Sequence, residues 1–207
     1  MDVQLIIPPA AGSREERLAQ IEAKIKQSNG GRRAWRQWKQ YEADEILALA
    51  RKAPRLNLLD LNITGDFHAI YELRMPVPRE PVDGPLQIGD RAVFHLGYVE
   101  EWLCSSPPGW APLGIVYPPD VFHSNLAPQL GGAICLGELP AAIRPKEILL
   151  LGFFTVSLQM LSLDETDVQG VLNGRASEFY REHPEFLPLT TAGLMDPVSM
   201  DKYLGAE

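Results

Sequence analysis

The chain is 207 residues long, 45% hydrophobic and 22% charged, which supplies one well-buried core and argues against a disordered protein. Its formal charge of −8 and sequence pI near 5.1 argue against a general nucleic-acid or anionic-membrane binder, because either needs a net basic face. No run approaches the roughly 18 apolar residues that span a bilayer, Met1 to Pro9 has no basic segment before its short apolar stretch, and the cysteines at 104 and 135 form no Cys-x-x-Cys pair; the expectation is a cytoplasmic protein with reduced thiols.

Ser13-Arg14-Glu15-Glu16 has the capping-box form, and Leu18, Ile21 and Ile25 follow at helical spacing, which predicts a helix over 13–28. A second helix is expected from Arg32 to Lys52, stopped by Pro54. Its apolar stripe, Trp35, Trp38, Tyr41, Ile46 and Leu49, reads as a packing face or, alternatively, as an exposed docking surface. From Leu56 the pattern turns to short apolar and alternating runs, Leu56 to Ile63, Ala69 to Met75 and Arg91 to Leu103, which read as an antiparallel meander. Pro76 to Pro85 reads as a loop between strands, and Pro107-Pro108-Gly109 with Pro112 as a second irregular connection. Lys146 to Leu161 is too long and apolar for a strand and is expected to form a buried helix. A last helix is expected over Val168 to His183, and the tail beyond Pro188 has weak periodicity.

The chemistry-bearing stretch is Tyr117-Pro118-Pro119-Asp120-Val121-Phe122-His123-Ser124-Asn125, followed by Gly131-Gly132-Ala133-Ile134-Cys135-Leu136. It sets a cysteine in an apolar run after a glycine turn, ten residues beyond an asparagine. A nucleophilic thiol needs some exposure and a polar donor facing the carbonyl it attacks, and a loop-strand junction can supply both. Cys135 is also readable as a small core residue, Asn125 as a loop-stabilising side chain, and Cys104 as a packing residue. His68, His95, His123 and His183 are scattered and show no metal-ligand spacing, so no metal or other cofactor is expected. The glycine pairs at 30–31 and 131–132 lack a P-loop lysine or a dinucleotide fingerprint, and the twelve-position separation of His123 and Cys135 fits no peptidase order.

These motifs resemble the ubiquitin-conjugating enzymes, in which a proline-rich turn leads to His-Pro-Asn, a glycine-containing loop and then Ile-Cys-Leu. His123-Ser124-Asn125 resembles the first motif with serine for proline, Cys135 falls on the thioester-forming cysteine, and Ile143-Arg144-Pro145 stands where family members carry Trp-Ser-Pro. The similarity spans residues 115 to 187. It implies an α+β fold: a four-stranded antiparallel meander with flanking helices, an N-terminal helical extension over 1–52, a catalytic domain over 53–188 and a tail over 189–207. It further implies that Cys135 accepts a ubiquitin-like protein from an activating enzyme as a thioester and passes it to an amine on a protein substrate, with Asn125 helping the transfer and His123 supporting the loop. Among Asp164, Glu165 and Asp167, which replace the family's Asp-Pro-Asn run, Asp164 is the first choice to orient the amine; these acids also read as helix-initiating charges. The divergence resembles the bacterial relatives encoded with an activating enzyme, a ubiquitin-like protein and a deconjugating peptidase in operons linked to antiphage defence. The alternative is a non-catalytic module of the same fold that binds a ubiquitin-like protein or scaffolds a partner.

Overall fold

The computed structural model of the chain describes residues 12–28, 30–81, 85–157 and 172–198. The capping box forms: Glu16 N–H donates to Ser13 Oγ at 3.2 Å, Ser13 N–H donates to the Glu16 carboxylate at 2.8 Å, and helix α1 runs Arg14–Gln27 with Leu18, Ile21 and Ile25 buried. Helix α2, Arg33–Lys52, ends ahead of Pro54. Trp35 is buried and stacks on Trp38 at 5.0 Å, and Trp38 lies 4.8 Å from Tyr98, so both tryptophans pack; Tyr41 is 54% exposed, with the Arg144 guanidinium over its ring.

Six strands form one antiparallel sheet: β1 Leu56–Asn62, β2 Phe67–Arg79, β3 Gln87–Tyr98, β4 Leu113–Tyr117, β5 Leu126–Ala127 and β6 Ala133–Ile134, in the order β1-β2-β3-β4-β6-β5. The expected four-strand meander is present as β1 to β4, but the sheet has six strands. The two extra ones are two-residue strands, too short to show alternation in sequence, recruited to the edge of β4.

The Pro-rich segment is a second correction, because β2 runs on through Pro76-Val77-Pro78 to Arg79. The ladder shifts between Arg74 and Val77, a bulge where a missing N–H is tolerated, and then resumes with Val77, Pro78 and Arg79 opposite Gly89, Ile88 and Gln87. Beyond the end of β1, the free side of β2 receives the segment before His123. Phe122 N–H donates to Pro78 C=O and Glu80 N–H to Asp120 C=O, each at 2.9 Å, and Arg79 pairs bidentately with Asp120. β3 correspondingly starts at Gln87 and stops at Tyr98, and Glu100–Leu103 is a 3₁₀ turn where a continuing strand was expected.

Helix α3, Pro145–Val156, and helix α4, Gly174–Glu182, complete the described elements. α4 begins later than the periodicity suggests, because Asn173 caps it by accepting from Ala176 N–H at 3.2 Å and Leu172 lies ahead of the cap. Alternate residues of β2 (Phe67, Ala69, Tyr71, Leu73, Met75) and β3 (Ala92, Phe94, Leu96, Tyr98) are buried in one core with Ile148, Leu149, Phe153 and Val156 of α3. The buried residues of α1 and α2 belong to that same core. Two polar clamps hold the helices: Glu42 accepts from Arg144 Nε at 2.9 Å, and Lys146 Nζ lies 2.6 Å from Glu45. Burial raises the Glu42 pKa against the opposing pull of Arg144. At the other end, buried Arg55 donates to the carbonyls of Arg74, Asp196 and Pro197. Among the described residues no helix is long and apolar enough to cross a membrane.

Lys39 of α2 is fully buried, donates to the Ile63 carbonyl at 2.6 Å and to the Gly65 carbonyl, and lies over the Trp35 ring. Burial lowers its pKa, while Asp66 and Glu100 act in the opposite sense. Its ammonium therefore satisfies the two carbonyls that end β1 and turn the chain into β2. Lys39→Met keeps the packed stem but strips those carbonyls of their donor, and should cost about 1–3 kcal/mol in equilibrium urea unfolding.

Candidate functional site

The candidate site is built on the β5–β6 hairpin. Leu126 faces Ile134 and Ala127 faces Ala133. One further step in that register sets Asn125 opposite Cys135, whose N–H donates to the Asn125 carbonyl at 2.7 Å. Directly opposed side chains of an antiparallel pair share a face, with Cβ atoms about 4.5–5.5 Å apart. The fold thus brings these two expected residues together, although ten positions separate them in the chain.

The turn of the hairpin depends on glycine. Gly131 and Gly132 have φ of 68° and 78°, in the left-handed region. A Cβ on Gly132 would lie 2.3 Å from the Ile115 carbonyl oxygen, so the backbone itself packs on β4; Ile115 N–H donates to Gly132 C=O at 2.8 Å. On the far side of the cysteine, Leu136 N–H donates to Gly109 C=O at 3.0 Å, tying the proline-rich loop to the residue after the thiol.

His123 is fully buried, with both ring nitrogens hydrogen-bonded. Its Nδ1 accepts from Asn125 N–H at 3.0 Å, which leaves the proton on Nε2 to donate to the Thr155 carbonyl of α3 at 2.6 Å. Burial lowers its pKa to about 4, the Thr155 carbonyl opposing only in part, so the ring is neutral at pH 7. Ser124 is buried as well. Its Oγ donates to Asn125 Oδ1 at 3.1 Å, and its carbonyl accepts from the N–H groups of Leu172 and Asn173 ahead of α4. Tyr180 of α4 closes the arrangement by donating from its hydroxyl to the Phe122 carbonyl at 2.7 Å.

Both cysteines are thiols. Cys135 is 5% exposed, so a reagent reaches it only when the surrounding loops open. Cys104, expected to pack, is exposed instead: the 3₁₀ turn Glu100–Leu103 carries it past the end of β3. Asp164, Glu165 and Asp167 lie outside the described residues.

Several supporting partners left no local signal. Arg79 and Asp120, His123 and Thr155, and Phe122 and Tyr180 are far apart in the chain and meet only through the sheet and helices. Ser124, standing where the family motif has proline, contributes a hydroxyl that donates to Asn125 Oδ1. Compared with known protein families, with curated proteins and with solved structures, the chain matches none.

Two outcomes follow from this geometry. A disulfide-exchange thiol reagent should modify Cys104 rapidly and Cys135 slowly under native conditions, with the fast phase absent in Cys104→Ser. Because His123 binds a proton more weakly folded than unfolded, its stabilising contribution is complete above pH ~6.5 and is lost as pH falls towards about 4, a change of about 3 kcal/mol. Urea unfolding of His123→Gln should therefore show a shallower loss of stability between those pH values than the parent chain; equal slopes would contradict the buried neutral ring.

Proposed function

We propose that this chain is a ubiquitin-conjugating-like enzyme that carries a ubiquitin-like protein as a thioester on Cys135 and transfers it to an amine. The observation that carries the reading is the cross-strand placement of Asn125 against Cys135, joined at 2.7 Å through their backbones. In the first step the Cys135 thiolate attacks the carbonyl of the donor thioester; a new S–C bond forms, and the donor's own sulfur leaves as its thiolate. In the second, an amine attacks the Cys135 thioester, the C–N bond forms, the amine gives its proton to solvent and the Cys135 thiolate departs. Negative charge collects on the acyl oxygen between these events, where the Asn125 amide is the candidate donor. A thiol is intrinsically nucleophilic and a good leaving group, so such a carrier needs no strong base beside it. The neutral, doubly hydrogen-bonded His123 fits a positioning role in this scheme. The overall arrangement proposed is the ubiquitin-conjugating fold with an added N-terminal helical region. The partners are an activating enzyme and a ubiquitin-like protein, with a deconjugating peptidase in the same system, and the setting is bacterial antiphage defence.

A second reading is favoured by one specific observation, the burial of Cys135. A module that only holds a ubiquitin-like protein has no need of an accessible thiol.

The test uses a glycine-ended peptide α-thioester as acyl donor and intact mass as readout, on the parent chain, Cys135→Ser and Cys104→Ser. The expected result is a reductant-sensitive adduct that persists in Cys104→Ser and is lost, or becomes a stable ester, in Cys135→Ser. Asn125→Ala should still load but discharge to added lysine about 10²-fold more slowly. Absence of any adduct on Cys135, under conditions where Cys104 is acylated, would discard the carrier and leave the binding module.

A further inference from the structure

The sheet presents one face to the helices and the other away from them, and on that second face two histidines meet. His68 stands on β2 opposite Gly97, and His95 on β3 lies between Ile70 and Gly114, so the two are diagonal neighbours across β2 and β3. His68 Nδ1 and His95 Nε2 are 3.3 Å apart. The ring centroids are 5.4 Å apart and the planes differ by 14°. Adding one ring radius at each end of the nitrogen contact nearly spans the centroid separation. The rings therefore meet edge to edge, nitrogen towards nitrogen, and do not overlap face to face.

Two imidazole nitrogens bound to one zinc ion at about 2.0–2.1 Å, on adjacent corners of a tetrahedron, stand about 3.3–3.4 Å apart. The spacing in this pair is already that of a chelate. A Cβ on Gly97, opposite His68, would sit in ordinary contact with both rings, 3.6 Å from His68 Nδ1 and 3.8 Å from His95 Cε1. A glycine within a strand weakens it and commonly marks a place of close approach.

We propose that His68 and His95 form a two-histidine site for a borderline divalent transition metal of the zinc class on the open face of the sheet. This rests on neither Cys135 nor the conjugation reading. In the metal-free pair one ring donates its N–H to the other's lone pair; on binding, that ring moves its proton to its second nitrogen, so both facing lone pairs reach the ion without net release of a proton. No cluster of three or more His, Cys, Asp or Glu residues suited to a metal occurs among the described residues, so water fills the remaining corners.

The test is calorimetric titration of zinc chloride into the full chain carrying Cys104→Ser, which removes the exposed thiol as a competing ligand. His68→Ala, His95→Ala and His183→Ala are then added singly to that background, with thermal melts to confirm that each variant is folded. The expected result is one saturable site per chain, lost in His68→Ala and in His95→Ala and retained in His183→Ala. No binding, binding that survives either of the first two substitutions, or binding lost equally in His183→Ala would overturn the chelate.

Discussion

The site hangs on the buried imidazole of His123. With Nδ1 accepting from Asn125 N–H and Nε2–H donating to Thr155 C=O, the ring bridges the start of the β5–β6 hairpin and the last turn of α3. Only the neutral tautomer with its proton on Nε2 makes both bonds, and burial enforces neutrality by penalising the charged ring. Asn125 is thereby held against α3 by its N–H and against Cys135 by its carbonyl, before any account is taken of its side chain. A base acting through this ring would have to use the Nδ1 lone pair, and so give up its contact with Asn125 N–H.

Around that bridge the structure fixes one short segment from several sides. β2 continues past a bulge and binds Asp120 and Phe122 through its backbone, α4 reaches Phe122 through Tyr180, and the residues ahead of α4 bind the Ser124 carbonyl. The glycine turn then brings the returning strand so close to β4 that no side chain fits between. The cysteine at the end of β6 is consequently well placed and poorly exposed. Placement and solvent access are separate properties of a thiol, and the fold sets them independently.

The N-terminal helices are part of the same construction. Their apolar stripes enter the sheet's core, Lys39 terminates β1 and Glu42 reaches α3, so residues 14–52 stabilise the surface on which the hairpin is laid. Had they packed only on themselves, their tryptophans would have stayed candidates for a docking surface; in the fold only Tyr41 of that stripe is largely exposed.

By itself the sequence determined what short-range physics encodes. The capping box at Ser13, the proline stop after Lys52, the alternation of β1 to β3 and the juxtaposition of a glycine turn with Ile134-Cys135-Leu136 all depend on neighbours a few residues away. Only the tertiary structure decided the rest. Strands of two residues exist because β4 offers them an edge, and Pro76 and Pro78 lie in a strand because a bulge and the end of β1 remove the need for their N–H groups. His68 and His95 are 27 residues apart in the chain and acquire a common nitrogen contact solely from the register of β2 on β3. Burial of the Cys135 thiol, and exposure of Cys104 where packing was expected, were likewise decided by where the loops came to rest. Solvent access is a property of the assembled surface and leaves no periodicity in the chain.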